Sequence, residues 1–134
     1  RYLGVTLDEV GPLSIQGDAP EKVSCICAVL AETDVINMVS RGISVPNILR
    51  GIHESMAGRY AKLLVSIRSA GTVLVTGGLA ADSGLIASLR ETLGAPGAPL
   101  EVKTHPQAVL AGAIGAALWG AYRHEVLEAR ELAA

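Results

Sequence analysis

Apolar positions along the chain fall into blocks of different period, and the blocks predict its elements. From about Cys27 to Arg41, the residues Ala28, Ala31, Val35, Met38 and Val39 recur at helical spacing and Gly42 follows as a stop, which predicts a helix. Glu32 falls on the same side as Val35, Ile36 and Val39, so a carboxylate shares an apolar face. The next segment, "SVPNILRGIHESMAGRYAKLLVSIRS", starts on Ser44 and Pro46 and sets Ile48, Ile52, Met56, Tyr60, Leu63 and Ile67 on one stripe. Arg50 and Glu54 stand four apart on its opposite face, where they can pair at a solvated surface. "TVLVTGG" reads as a buried strand running into a glycine pair. "LAADSGLIASLRETLG" reads as a helix capped by Asp82 or Ser83 and ending at Gly94.

A second short strand, "LEVKTH", follows the turn "APGAP", and a last helix runs from Pro106 to about Glu131. In that helix Ala108, Gly112, Ala116 and Gly120 repeat every four residues, which would let another backbone come very close. Before the first strong helix the pattern is weaker. "RYLG" reads as a helix end, "LDEVGPLSIQGDAPEK" as a polar connector and "KVSCI" as a short extended stretch. Residues 1–21 are thus expected as lead-in and residues 22–134 as one lobe, with the order helix, helix, strand, helix, strand, helix of an α/β fold.

Composition narrows the choice of partners. Half of the 134 positions are apolar and the net charge is -2, which suits one compact domain with a single core. Lys and Arg are scattered, and three Tyr and one Trp are the only aromatic side chains, so nucleic acid is excluded and a protein or a small molecule is expected. The opening "RYLGVTLDEV" has neither Met nor a signal-like segment, and a start inside a longer protein is expected. The most apolar window, Pro106 to Tyr122, falls short of the roughly 20 residues that span a bilayer and reads as a buried helix.

The candidate chemistry lies at two places. A strand ending in Thr76-Gly77-Gly78 and turning into a capped helix presents backbone N–H groups where a phosphate or a nucleotide edge can approach without a Cβ in the way. Two glycines at such a turn also arise for conformational reasons alone, and no Gly-Lys-Ser/Thr follows them. Cys25 and Cys27 are the two cysteines, and their C-x-C spacing makes a poor disulfide, which points to a reducing, cytoplasmic setting. Either one alone suits a small core hydrophobe. Cys27, however, stands where a helix begins, and the partial positive charge there favours an anionic ligand. His53, His105 and His124 are dispersed and form no zinc pattern, and two sulfurs are too few for an iron–sulfur cluster, so any cluster needs ligands from elsewhere.

Four runs in order, "CAVLAETDVINMVSRG", "NILRGIHESMAGR", "VLVTGGLAADSGL" and "HPQAVLAGAIGAALWGAYRHE", carry a resemblance across residues 22–126. Together they resemble the ATPase family that contains the 2-hydroxyacyl-CoA dehydratase activators and the ATP-binding subunits of benzoyl-CoA reductase. That resemblance implies a fold of the actin, Hsp70 and sugar-kinase type (ribonuclease H-like), with this chain as a helix-rich partial second lobe and its last helix packing toward the first lobe. It implies ATP or ADP with Mg²⁺, and a [4Fe-4S] cluster shared between two subunits. Cys27, which stands before four apolar residues and Glu32 as in the family's motif, carries over as one cluster ligand. Cys25 stands where the family more often has Ser or Thr and is kept as a core residue or a neighbour of the cluster ligands.

Gly77 and Gly78 match the family's adenosine-contacting pair, and Asp82 stands where relatives often have Asn. Glu32 is then placed to reach back to N–H groups of its helix start or to orient a group across the subunit junction. The phosphate loops and the other cluster cysteine of the family lie upstream of Arg1, so these residues alone are expected not to hydrolyse ATP. The partners implied are a homologous ATPase subunit or a second copy, a reduced ferredoxin as electron source, and the reductase subunits that bind benzoyl-CoA, with neither nucleic acid nor membrane. Two other readings stay open: an activator of a 2-hydroxyacyl-CoA dehydratase, and a non-redox nucleotide-binding lobe like that of a sugar or acetate kinase.

Overall fold

The computed structural model describes residues 3–24, 26–94 and 100–131. Its elements are α1 (Leu7–Ile15), α2 (Ala28–Ser40), α3 (Val45–Ser66), β1 (Gly71–Leu74), a 3-10 turn (Gly78–Ala81), α4 (Ser83–Leu93), β2 (Leu100–Lys103), a second 3-10 turn (Ala108–Leu110) and α5 (Ala111–Glu131). They divide into two units, Arg1–Leu74 with Asp82–Lys103, and Val75–Ala81 with Thr104–Ala134.

Helix α1 lies inside the stretch read from sequence as a polar connector, and residues 1–21 belong to the first unit. Its start signal is T-x-x-E: the Glu9 carboxylate accepts from the Thr6 backbone N–H at 2.8 Å and from the Thr6 hydroxyl at 2.9 Å. Those bonds hold the Glu9 carboxyl below its usual value. Gly11, which made the segment look like a turn, is there for packing: a methyl group on it would lie 2.6 Å from Ser83 Oγ and 2.9 Å from Ser83 N.

Helix α2 starts as expected, with Cys27 at the N-cap in extended conformation, and the chain reverses at Gly42, whose φ of +77° suits glycine. Helix α3 starts at the Ser44 cap with Pro46 in its first turn. Its apolar stripe is buried only toward the N-terminus. Ile48 is fully buried, whereas Tyr60, Leu63 and Ile67 are exposed. Val23, Met38 and Ile48 form a core cluster on which Leu3, Ala31, Val35, Ile43 and Ile52 pack. Helix α4 buries Leu85, Ile86, Leu89 and Leu93, and it packs on α3, on α1 and on β2, whose Leu100 and Val102 are buried.

Strands β1 and β2 pair in parallel, Gly71 opposite Leu100 and Leu74 opposite Lys103, with α4 in the crossover. The sequence reads β1 as a buried strand, but only Val73 is partly buried and Leu74 is exposed, because alternate residues of this edge face away from the helices. Among the described residues of "KVSCI" no strand forms, and Cys25 lies outside the described residues.

In the second unit the Gly77 N–H donates to the Ala108 carbonyl at 2.9 Å, which ties the glycine turn to the 3-10 turn before α5. The last helix is present but not buried as its composition suggests. Leu118 and Trp119 are exposed, and methyl groups on Gly112, Gly115 or Gly120 would meet nothing within 4 Å. Small residues permit close approach without supplying a surface to approach, and among the described residues of its unit the neighbouring 3-10 turn is the element that packs on it. No helix among the described residues is long and apolar enough to cross a membrane.

Candidate functional site

The segment that leads to Cys27 is anchored along α3. After α1 the chain does not loop out but lies as a strap along one stripe of α3. Asn47 Oδ1 accepts from the backbone N–H groups of Asp18 and Ala19 at 2.9 and 3.0 Å, and Arg50 Nη1 donates to the Gly17 carbonyl at 2.8 Å. One turn on, Gly51 is bare so that Glu21 can cross it. A Cβ there would sit 2.0 Å from the Glu21 carbonyl oxygen. Ser55 Oγ then donates to the Val23 carbonyl at 2.9 Å, and the Asp34 carboxylate of α2 accepts from the Ser24 N–H at 2.7 Å. Glu21 also pairs with Arg41 at the end of α2.

Three residues beyond Ser24, the thiol of Cys27 is free and exposed, and it makes no capping hydrogen bond to α2. It opens on a groove of ≈ 500 Å³ between α2 and α3, walled mainly by apolar side chains including Ala31, Ile52, Met56 and Leu63. Beside it Ile26 and Val29 are exposed, so the sulfur sits on an apolar surface rather than inside the core. Among the described residues no three His, Cys, Asp or Glu side chains gather to hold a metal ion. One accessible sulfur at a surface fits a single ligand of a cluster completed by other donors and does not fit a self-contained metal site. Glu32 lies on the fifth position of α2, exposed, with no hydrogen bond among the described residues to the N–H groups of the first turn.

In the second unit Gly77 adopts φ +85°, open to glycine, and an added methyl group at Gly77 or Gly78 would meet no atom within 4 Å. A flat ligand edge has room to reach this backbone. The glycine pair does not sit directly at an α-helix start as its sequence suggests: the turn Gly78–Ala81 intervenes. The first N–H groups of α4 are taken internally, Gly84 and Leu85 both donating at 3.0 Å to Asp82 Oδ1.

The other Asp82 oxygen explains a histidine that sequence reasoning left unassigned. His53 Nε2 lies 3.2 Å from Asp82 Oδ2, and His53 Nδ1 lies 2.8 Å from Ser14 Oγ. A neutral ring protonated at Nε2, with the Ser14 hydroxyl donating to Nδ1, satisfies all three groups. Burial pushes the His53 imidazole below its ordinary value, with Asp82 opposing. Serine, histidine and aspartate in one row resemble a hydrolytic triad, but Ser14 and His53 are buried and closed off by Gly84, where a Cβ would lie 2.7 Å from Nδ1. The row is a clamp joining α1, α3 and the cap of α4. Ser14, His53 and Asp82 are too far apart in sequence to be read together. Gly51 was not singled out either: a glycine inside a helix costs about 1 kcal/mol and can mark a close approach, but Gly58 in the same helix faces open space.

A model of the BadF/BadG/BcrA/BcrD ATPase family matches residues 1–120. The chain belongs to that family. It is 63% identical over 128 residues to the D-type subunit of benzoyl-CoA reductase from Thauera aromatica, covering 95% of this chain and 45% of that protein. It is 36% identical over 119 residues to the (R)-2-hydroxyglutaryl-CoA dehydratase activating ATPase of Acidaminococcus fermentans, covering 89% of this chain and 44% of that protein. Among solved structures, the activator of 2-hydroxyisocaproyl-CoA dehydratase from Clostridium difficile with bound ADPNP superposes with a TM-score of 0.81 at 27% identity, over 96% of this chain and 46% of that one. This member of the BadF/BadG/BcrA/BcrD family thus spans less than half the length of the curated relatives it matches. The expected fold class holds: a helix-rich α/β partial lobe of an actin-like ATPase.

Proposed function

We propose that this chain is the nucleotide-holding lobe of a D-type subunit of ATP-dependent benzoyl-CoA reductase. The intact protein couples ATP hydrolysis to low-potential electron transfer, with a ferredoxin as source and benzoyl-CoA ring reduction on partner subunits as destination. Gly77 and Gly78 receive the adenosine edge of ATP or ADP, while Mg²⁺ and the outer phosphates are held by loops outside these 134 residues, so the chain alone is expected to be inactive. Cys27 gives one sulfur to a [4Fe-4S] cluster completed by a second copy or a homologous subunit. When bound, that cluster supplies one-electron chemistry at a potential set by its hydrogen bonds and exposure. The chain's own residues fix where the sulfur sits and leave it open to a partner, and Glu32 orients a group across the junction. A cytoplasmic setting without membrane or nucleic-acid partners belongs to this reading.

The observation that carries the redox assignment is the exposed, unpartnered Cys27 thiol on an apolar surface, in a chain 63% identical to a benzoyl-CoA reductase component. The test is iron and sulfide content of the complete protein, reconstituted anaerobically, with Cys27 intact and with Cys27→Ala. A brown protein that loses its iron on substitution is expected. A colourless wild type that still binds ATP returns the chain to a non-redox nucleotide-binding lobe. The structural likeness to a dehydratase activator supports a second reading, activation of a 2-hydroxyacyl-CoA dehydratase. Co-purification of dehydratase rather than reductase subunits would decide for it.

A further inference from the structure

Two hydrogen bonds fix the strap shortly before Cys27. Asp34 turns its carboxylate back along α2 to the Ser24 N–H, and Ser55 turns its hydroxyl from α3 to the Val23 carbonyl. The two anchors grip consecutive residues from two different helices, and Val23 between them is buried in the core cluster. Three residues after Ser24, Cys27 stands at the N-cap of α2. Asp34 and Ser55 thus fix the chain just before the sulfur, one from each helix that walls its groove.

We infer that Asp34 and Ser55 are positioning residues for Cys27, holding its thiol at the mouth of the groove between α2 and α3; the inference rests on the reading of Cys27 as a cluster ligand. Asp34 contributes a charged acceptor, the stronger kind of hydrogen bond, and removing either partner frees the strap end without opening the core. Residues that orient a metal ligand typically change metal retention about 10–100-fold when substituted.

The complete protein, reconstituted anaerobically, tests this with Asp34→Ala, Asp34→Asn, Ser55→Ala and Ser55→Thr. Thr72→Ala is the control, since it removes an exposed hydrogen bond to Glu101 on the sheet. Iron release to a chelator is expected to accelerate about 10-fold in Asp34→Ala and Ser55→Ala, with a broadened electron paramagnetic resonance line of the reduced protein. Asp34→Asn and Ser55→Thr keep an acceptor and a hydroxyl, and both should return close to wild type. In the metal-free protein, alkylation of Cys27, followed by peptide mass spectrometry, should change in the two alanine variants and not in Thr72→Ala. This second readout needs no cluster, and Ser55→Ala serves if Asp34→Ala does not fold. Wild-type iron release, spectrum and alkylation in both alanine variants would overturn the inference while the cluster reading stands, as would equal acceleration in Thr72→Ala. A wild type that binds no iron overturns both.

Discussion

Replacing Gly51 with alanine adds one methyl group where α3 passes under the strap. Two opposing effects decide the outcome. Alanine in a helix interior is favoured over glycine by about 1 kcal/mol. Against this, the new Cβ would lie 2.0 Å from the carbonyl oxygen of Glu21, a backbone atom that no side-chain rotation can remove. Ordinary contact begins near 3.4 Å, so the strap has to lift by more than 1 Å. Overpacking of that kind costs about 1–3 kcal/mol, and the Ser55 to Val23 hydrogen bond beside it contributes about 1 kcal/mol more when stretched or lost. The net expectation is destabilisation by about 2 kcal/mol.

Gly58, two turns on in the same helix, has nothing within 4 Å of an added Cβ, so Gly58→Ala should stabilise by about 0.5–1 kcal/mol. Urea unfolding of the intact protein, followed by far-ultraviolet circular dichroism, gives both values as midpoint shifts. Opposite signs are expected. A Gly51→Ala protein at least as stable as wild type would show that the strap does not bear on α3 as described.

Three further outcomes follow from the clamp and the site. Because burial holds the His53 imidazole below its ordinary value near 6.5, the unfolded chain takes up this proton at a higher pH than the folded one. Stability from His53 is thus fully present above about pH 6.5 and is lost as pH falls toward the folded value; His53→Gln should flatten that acid limb, and identical urea midpoints against pH for both proteins would refute it. Asp82→Ala removes the cap of α4 and strands His53, so a loss of about 1–2 kcal/mol is expected, whereas Asp82→Asn keeps Oδ1 and should lose less than half as much. An equal loss in both variants would put the effect elsewhere. Glu32→Gln, finally, should lower iron retention of the reconstituted protein if Glu32 works across the junction, and unchanged retention removes that role.

Much of the scaffold could be read directly. The starts of α2, α3 and α4 and the stops of α2 and α4 are written in Cys27, Ser44, Pro46, Asp82 and the glycines at 42 and 94, because caps are local chemistry. Helix α1 escaped because Gly11 and Pro12 look like turn residues, while its Thr6/Glu9 signature is short and Gly11 answers to Ser83, far along the chain. The burial of α5 was misjudged since a run of Ala and Gly records what a helix can tolerate beside it, not what stands there. The two candidate positions, Cys27 and the Gly77-Gly78 pair, were visible as motifs. Their supports, Asp34, Ser55 and the Ser14–His53–Asp82 row, depend on which helices meet, and that is decided by packing across the whole unit.

The strap has one more property. Chain between helices is ordinarily the place where evolution and engineers add or remove residues freely. Here the path from Gly17 to Ser24 is measured off against a rigid ruler, with Asn47, Arg50, Gly51 and Ser55 as its graduations at about 1.5 Å per residue. One residue more or fewer would put every later graduation out of step, so this connection has no spare length even though it belongs to no helix or strand.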